Sequence, residues 1–162
     1  HYLAVVADKT GSLIAASARF GAMVSGAPDE IKETLTVFGE KIGVAFQLVD
    51  DVIDIASESF ESGKTPGTDL REGVPTLVTL NVMAMNRPED AGLIELLKAP
   101  IKDEATVQNV IKTLRAHPAL ELSRQQMLQY AHDARKALGP LPVGDVTGAL
   151  YSLCDAIIDR SA

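Results

Sequence analysis

The chain has 162 residues, 46% of them hydrophobic and 4% aromatic, with no Trp and a formal net charge of −7. That length is one domain with a substantial core, the aromatic-poor composition favours packed helices over a β-sandwich, and the acidic balance argues against a nucleic-acid partner, whose phosphates need a basic face. Cys154 is the single cysteine, so no intramolecular disulfide is available and a reducing cytoplasm is the default compartment.

The chain opens mid-pattern at His1, with no Met and no leader, which leads us to expect a piece of a longer polypeptide. Residues 2–25 predict an apolar helix rich in small residues, kinked at Lys9-Thr10-Gly11. "SGAPDE" predicts a turn, and acidic residues from Asp29 onward open a long helix expected over 29–56. Residues 57–75, rich in Ser, Gly and charge and holding Pro66 and Pro75, predict a loop of a length that is usually functional. Arg71 and Glu72 within it are expected to be solvated loop charges. Helices follow over 76–85, 89–98, 103–117 and 120–138, each stopped by proline or glycine, and a last one over 146–160 closes the chain. No run alternates with period two and no apolar run is long enough to span a membrane, so the class is all-α, with seven or so helices. His117 and His132 have no ligand spacing with another histidine, and Cys154 lies on an amphipathic face as a packing residue.

"FQLVDDVID" is the unusual stretch. At 100° per residue Gly43, Gln47, Asp50, Asp51 and Asp54 share about 100° of arc, and nearly everything around them is apolar. A helix apolar on most sides is buried by neighbours, so the acidic stripe is expected to face a cavity, with something positive to compensate it. Hard oxygen donors on one face suit Mg2+, which takes one or two carboxylates, water and phosphate oxygens. The loop that follows adds Lys64 after Gly63 and Asp69 after Gly67-Thr68; glycines let backbone N–H groups approach an anion, and lysine supplies a point charge. Together they describe a clamp for a metal and a diphosphate. The plainer alternative is a solvated acidic face with no ligand.

"FQLVDDVID", then "GKTPGTDLREGVPTL", and upstream "YLAVVADKTGSLIAAS", resemble the trans-isoprenyl diphosphate synthase (polyprenyl synthetase) family, and "YAHDARKALGPLP" and "ALYSLCDAIIDR" resemble its C-terminal helices. The resemblance implies a helical bundle of the isoprenoid synthase type, of which residues 1–162 would be the C-terminal part of a single domain, the N-terminal half with its first aspartate-rich motif being absent. It implies a prenyltransferase that condenses an allylic diphosphate with isopentenyl diphosphate: the allylic carbon–oxygen bond ionises, the double bond of isopentenyl diphosphate attacks, and a proton is lost. Asp50, Asp51 and Asp54 would bind Mg2+ directly or through water, with Asp50 and Asp54 the better candidates for direct contact. Lys9 and Lys64 would contact the diphosphate, Thr10 and Gln47 would place oxygen dipoles near the cation, and Asp69 would bind outer-shell water or orient Lys64. A homodimer is implied as well. Each role has a plainer counterpart: Lys9 as a snorkelling surface lysine, Gln47 as a satisfied buried amide, Asp69 as a cap for residues 70–72.

The chain departs from the family at Val74, where many members carry lysine, and at Val78, where many carry proline. A non-catalytic subunit that stabilises or regulates a prenyltransferase is the second reading, although such a subunit has no need of the metal and lysine motifs. A class I terpene cyclase ranks last, because those usually lack the glycine loop.

Overall fold

The computed structural model describes residues 1–57 and 65–160. Among them every regular element is helical: α1 (Tyr2–Val6), α2 (Ser12–Val24), α3 (Asp29–Ala56), α4 (Thr68–Glu72), α5 (Leu77–Met85), α6 (Ala91–Leu96), α7 (Glu104–Arg115), α8 (Pro118–Ala137) and α9 (Asp145–Asp159). A π-helical turn over Ala7–Gly11 joins α1 to α2, and a 3-10 turn over Pro88–Asp90 leads into α6. No helix among the described residues is long and apolar enough to cross a membrane. The kink expected at Lys9-Thr10-Gly11 is that π turn, and the long helix runs from Asp29 to Ala56 as the acidic start predicts.

The chain divides into two compact units: residues 50–125, and residues 1–49 together with those from 126 onward. In the unit of residues 50–125, Val52 and Ile55 of α3, Val78 and Val82 of α5, Val107, Val110, Ile111 and Leu114 of α7, and Ala119 and Leu120 of α8 form one apolar cluster. α5 buries Leu77, Val78, Thr79, Asn81 and Val82, which is why its sequence lacks a polar face. Its buried amide has a partner, since Asn81 Nδ2 donates to Ser123 Oγ at 2.9 Å. Below the cluster, Asp90 accepts from Arg87 Nε at 2.6 Å and lies 3.0 Å from His117 Nε2. His117 Nδ1 accepts the Ala119 N–H at 3.0 Å, so His117 is a buried structural residue.

The other unit packs the first part of α3 against α2 at close range. A Cβ at Gly39 would stand 2.6 Å from the Cα of Ala15, and one at Gly43 would stand 2.8 Å from the Cα of Gly11. Only hydrogen at those positions permits the approach. Met127, Ala131 and Ala134 form the buried stripe of α8 in this unit, continued by Leu138 just past its end, and Cys154 and Ile157 form that of α9. Arg135 of α8 reaches Asp155 of α9 at 2.7 Å and stacks over the Tyr151 ring. Cys154 is fully buried, as its expected packing role requires, and burial pushes its thiol pKa up.

The expected loop of residues 57–75 needs correction. Residues 68–72 form α4, a helical turn bracketed by Gly67 and Gly73, both left-handed at φ 79° and 72°. Residues with a side chain adopt that conformation at a cost, so the two glycines set where α4 starts and stops.

Candidate functional site

In the unit of residues 50–125, the C-terminal end of α3 carries the three aspartates, and Asp51 and Asp54 are buried at 4% and 8% exposure while Asp50 is partly exposed. Asp51 Oδ2 accepts the N–H of Leu77, the first amide of α5, at 2.8 Å. Asp54 accepts two consecutive amides at the start of α4, Thr68 on Oδ1 at 3.1 Å and Asp69 on Oδ2 at 3.4 Å. The compensation that the acidic stripe demanded is thus supplied in part by two helix N-termini, whose unpaired N–H groups carry partial positive charge. Burial raises the pKa of Asp54, opposed by those two amides and by the charge of Arg71.

The end of α3 is itself closed by a cation. Arg115 of α7 donates from Nε to the Ile55 carbonyl at 2.8 Å and from Nη2 to the Ser57 carbonyl at 2.6 Å. A guanidinium there satisfies carbonyls that the helix leaves unbonded and faces the negative end of its dipole.

Asp69 lies half-buried in the first turn of α4. Asp54, fifteen residues earlier, takes the amides of both Thr68 and Asp69 at the start of that helix. Arg71 corrects another expectation. Far from being a solvated loop charge, it makes a two-pronged ion pair with Glu104, at 3.1 Å from Nε and 2.8 Å from Nη2, and donates to the Pro66 carbonyl at 2.8 Å. Lys102 donates to the Arg71 carbonyl at 3.0 Å, and Ile101 N–H to the Leu70 carbonyl at 3.0 Å. Arg71, Glu104 and Arg115 are therefore site-building residues that local spacing did not single out. Lys64 lies outside the described residues.

In the other unit, the structure brings Thr10 and Gln47 together: the Thr10 hydroxyl donates to Gln47 Oε1 at 3.3 Å. Thr10 sits on the π turn, a one-residue insertion that redirects side chains and recurs at functional sites. Lys9, beside it, is exposed. Val74 is also exposed, and Val78 is fully buried in the apolar cluster.

The family model for polyprenyl synthetase matches residues 1–114. This chain belongs to the polyprenyl synthetase family. It is 48% identical over 161 residues to nonaprenyl diphosphate synthase of Mycobacterium tuberculosis, an alignment that covers 98% of this chain and 48% of that protein. Its fold is similar to half of the geranylgeranyl pyrophosphate synthase of Corynebacterium glutamicum, solved with calcium and isoprenyl diphosphate, at a TM-score of 0.89 and 38% identity, over 99% of this chain and 50% of the other. A polyprenyl synthase from Caulobacter crescentus, also solved with calcium and isoprenyl diphosphate, gives a TM-score of 0.90 at 32% identity, with 99% and 49% covered. The chain spans about half the length of the curated relatives it matches.

Asp50 and Asp54 stand four residues apart on α3, one turn, and offer hard oxygen donors. Each oxygen of Asp54 accepts one N–H and has a further lone pair. Among the described residues no three His, Cys, Asp or Glu side chains are grouped to hold a metal by themselves. That donor set fits Mg2+, an ion that takes one or two carboxylates and completes its shell with water and phosphate oxygens.

Proposed function

We propose that this chain carries the second aspartate-rich portion of an Mg2+-dependent prenyltransferase that condenses an allylic diphosphate with isopentenyl diphosphate to make polyprenyl diphosphates. The observation that carries this reading is the pair Asp50 and Asp54, one turn apart at the C-terminal end of α3, in a member of the polyprenyl synthetase family. Mg2+, when bound, supplies charge stabilisation to the departing diphosphate. Asp50 and Asp54 hold the ion. Lys9 and Lys64 bring positive charge to the diphosphate, and Asp69 orients Lys64 or an outer-shell water. Thr10 fixes the amide of Gln47, so that its oxygen dipole is set before substrate arrives, as stabilisation of a developing cation requires. The enzyme works as a homodimer in the cytoplasm. The chain spans about half the length of the relatives it matches, and the 162-residue chain alone does not elongate prenyl diphosphates.

The test is isopentenyl incorporation by the full-length protein and its Asp50→Ala variant. The expected loss is about 100- to 1000-fold, the scale of removing one preorganised electrostatic group, with circular dichroism unchanged. Wild-type turnover by the variant would sink the reading and favour a stabilising subunit.

A further inference from the structure

We propose that Asp51 is a positioning residue and not a metal ligand, and that with Asp54 it ties both ends of the 65–77 segment to α3. Asp51 is 4% exposed, and its Oδ2 holds the first amide of α5, that of Leu77, at 2.8 Å. The third amide of the helix is met locally: Thr79 N–H points at Thr76 Oγ1, while Thr76 N–H donates to Thr79 Oγ1 at 2.9 Å. α5 therefore starts where a carboxylate from α3 accepts it. At the other end of the segment, Asp54 holds Thr68 and Asp69 by their amides, and its backbone carbonyl accepts the Gly67 N–H at 2.9 Å. Between the two ties, Arg71 on Glu104 and Leu70 on Ile101 fix the middle of the segment against the start of α7.

The division of labour follows from burial. Leu77 is 5% exposed, so its amide has no ready access to water if the carboxylate is lost. A carboxylate committed to a buried helix N-terminus gains from the helix dipole what it loses in hydration. Asp51 thus fixes the frame in which Asp69 is presented, and the metal-facing role stays with Asp50 and Asp54. Only this last step rests on the prenyltransferase reading.

The experiment uses the full-length protein and the variants Asp51→Ala, Asp51→Asn and Asp50→Asn. Two quantities are read: amide hydrogen exchange at Leu77, and the Mg2+ concentration that half-saturates the thermal shift with inorganic pyrophosphate. Asparagine keeps an acceptor oxygen and removes the charge. The expected result is that Asp51→Ala speeds Leu77 exchange by about tenfold or more and Asp51→Asn restores it to within about threefold. Mg2+ half-saturation in Asp51→Asn stays within about threefold of wild type, while Asp50→Asn shifts it about tenfold or more. If Asp51→Asn keeps Leu77 protected and yet shifts Mg2+ as far as Asp50→Asn, Asp51 is a ligand and the proposal fails. Unchanged Leu77 exchange in Asp51→Ala overturns it as well. Should Asp51→Ala not fold, the Asparagine variant decides alone. Should wild type show no Mg2+ response, the prenyltransferase reading fails while the exchange result still settles the tie.

Discussion

Leu13, Phe20, Met23 and Val24 of α2 stand in solvent at 67, 62, 51 and 89% exposure, whereas the described residues of the 50–125 unit contribute only Val74 and Leu96 to the large exposed apolar side chains, at 46 and 43%. The two units reach their stability by different routes. Residues 50–125 close a dense apolar cluster and then meet helix ends with side chains from elsewhere in the same unit: Asp51 on α5, Asp54 on α4, Arg115 on α3. The other unit relies on near-contact of backbones at Gly39 and Gly43 and on the ladder of α8 and α9, and leaves large apolar side chains exposed, most of all on α2. The aspartates of the candidate metal site therefore sit in the unit whose geometry is fixed from several directions, which is what an electrostatic site needs in order to be preorganised.

The contrast is most exposed at Gly39. Alanine is the better helix former by about 1 kcal/mol, and in a loosely packed helix pair Gly39→Ala would stabilise. Here the new Cβ would lie 2.6 Å from the Cα and 2.8 Å from the N of Ala15, both backbone atoms that cannot rotate aside. Forced overpacking costs about 1–3 kcal/mol, so the net expectation is destabilisation, read as a lower midpoint in chemical or thermal unfolding. A raised midpoint would mean that close backbone approach is not what holds α2 to α3.

Much of the helical layout was legible in the sequence, the division into two units was not, and what was hidden has a common cause. The limits of α3 follow from Pro28, Asp29 and the Ser-rich stretch after Ala56, all local signals. The kink at Lys9-Thr10-Gly11 was also within reach, from a glycine in an apolar helix, whereas the contact of Thr10 with Gln47, thirty-seven residues on, was not. α4 was not, because its cap comes from Asp54, fourteen residues before Thr68, and its anchor is Arg71 on Glu104, thirty-three residues apart. Asp51 serving Leu77 spans twenty-six. Periodicity and spacing find faces and turns; they do not say which distant amide a carboxylate will meet.

A smaller effect separates the units by pH. Arg87, and after it His117, hold the Asp90 carboxyl well below its ordinary value of 3.8, at about 2. Because the folded pKa lies below the unfolded one, Asp90 contributes stability that is complete above about 3.8 and is lost as pH falls through about 2. The expectation is that the stability gap between wild type and Asp90→Asn narrows progressively as pH drops from 5 to 2. Probes near the start of α6 and at the α7–α8 junction should report it first, since Asp90 immediately precedes α6 and meets His117 between α7 and α8. A gap that is constant across that window would show that the ion pair is equally formed in the unfolded chain.

The smallest change in stability is expected where the contrast is easiest to see. Phe20 and Val24, four apart on α2, present adjacent apolar surface at 62 and 89% exposure, so replacing both with serine removes little buried area. Surface substitutions away from special features stay within about 0.5 kcal/mol, and serine's modest loss of helix propensity is of the same order. The unfolding midpoint of the 162-residue chain should therefore barely move. Its surface behaviour should move much more, because contiguous exposed apolar patches bind hydrophobic dyes and drive association. Wild-type chain is expected to bind 1-anilinonaphthalene-8-sulfonate and to self-associate in analytical ultracentrifugation, and the double serine variant to do less of both. If the wild-type chain is instead a monodisperse monomer without dye binding, the face of α2 is not an adhesive surface, and the two units differ in how they pack without differing in how completely they close.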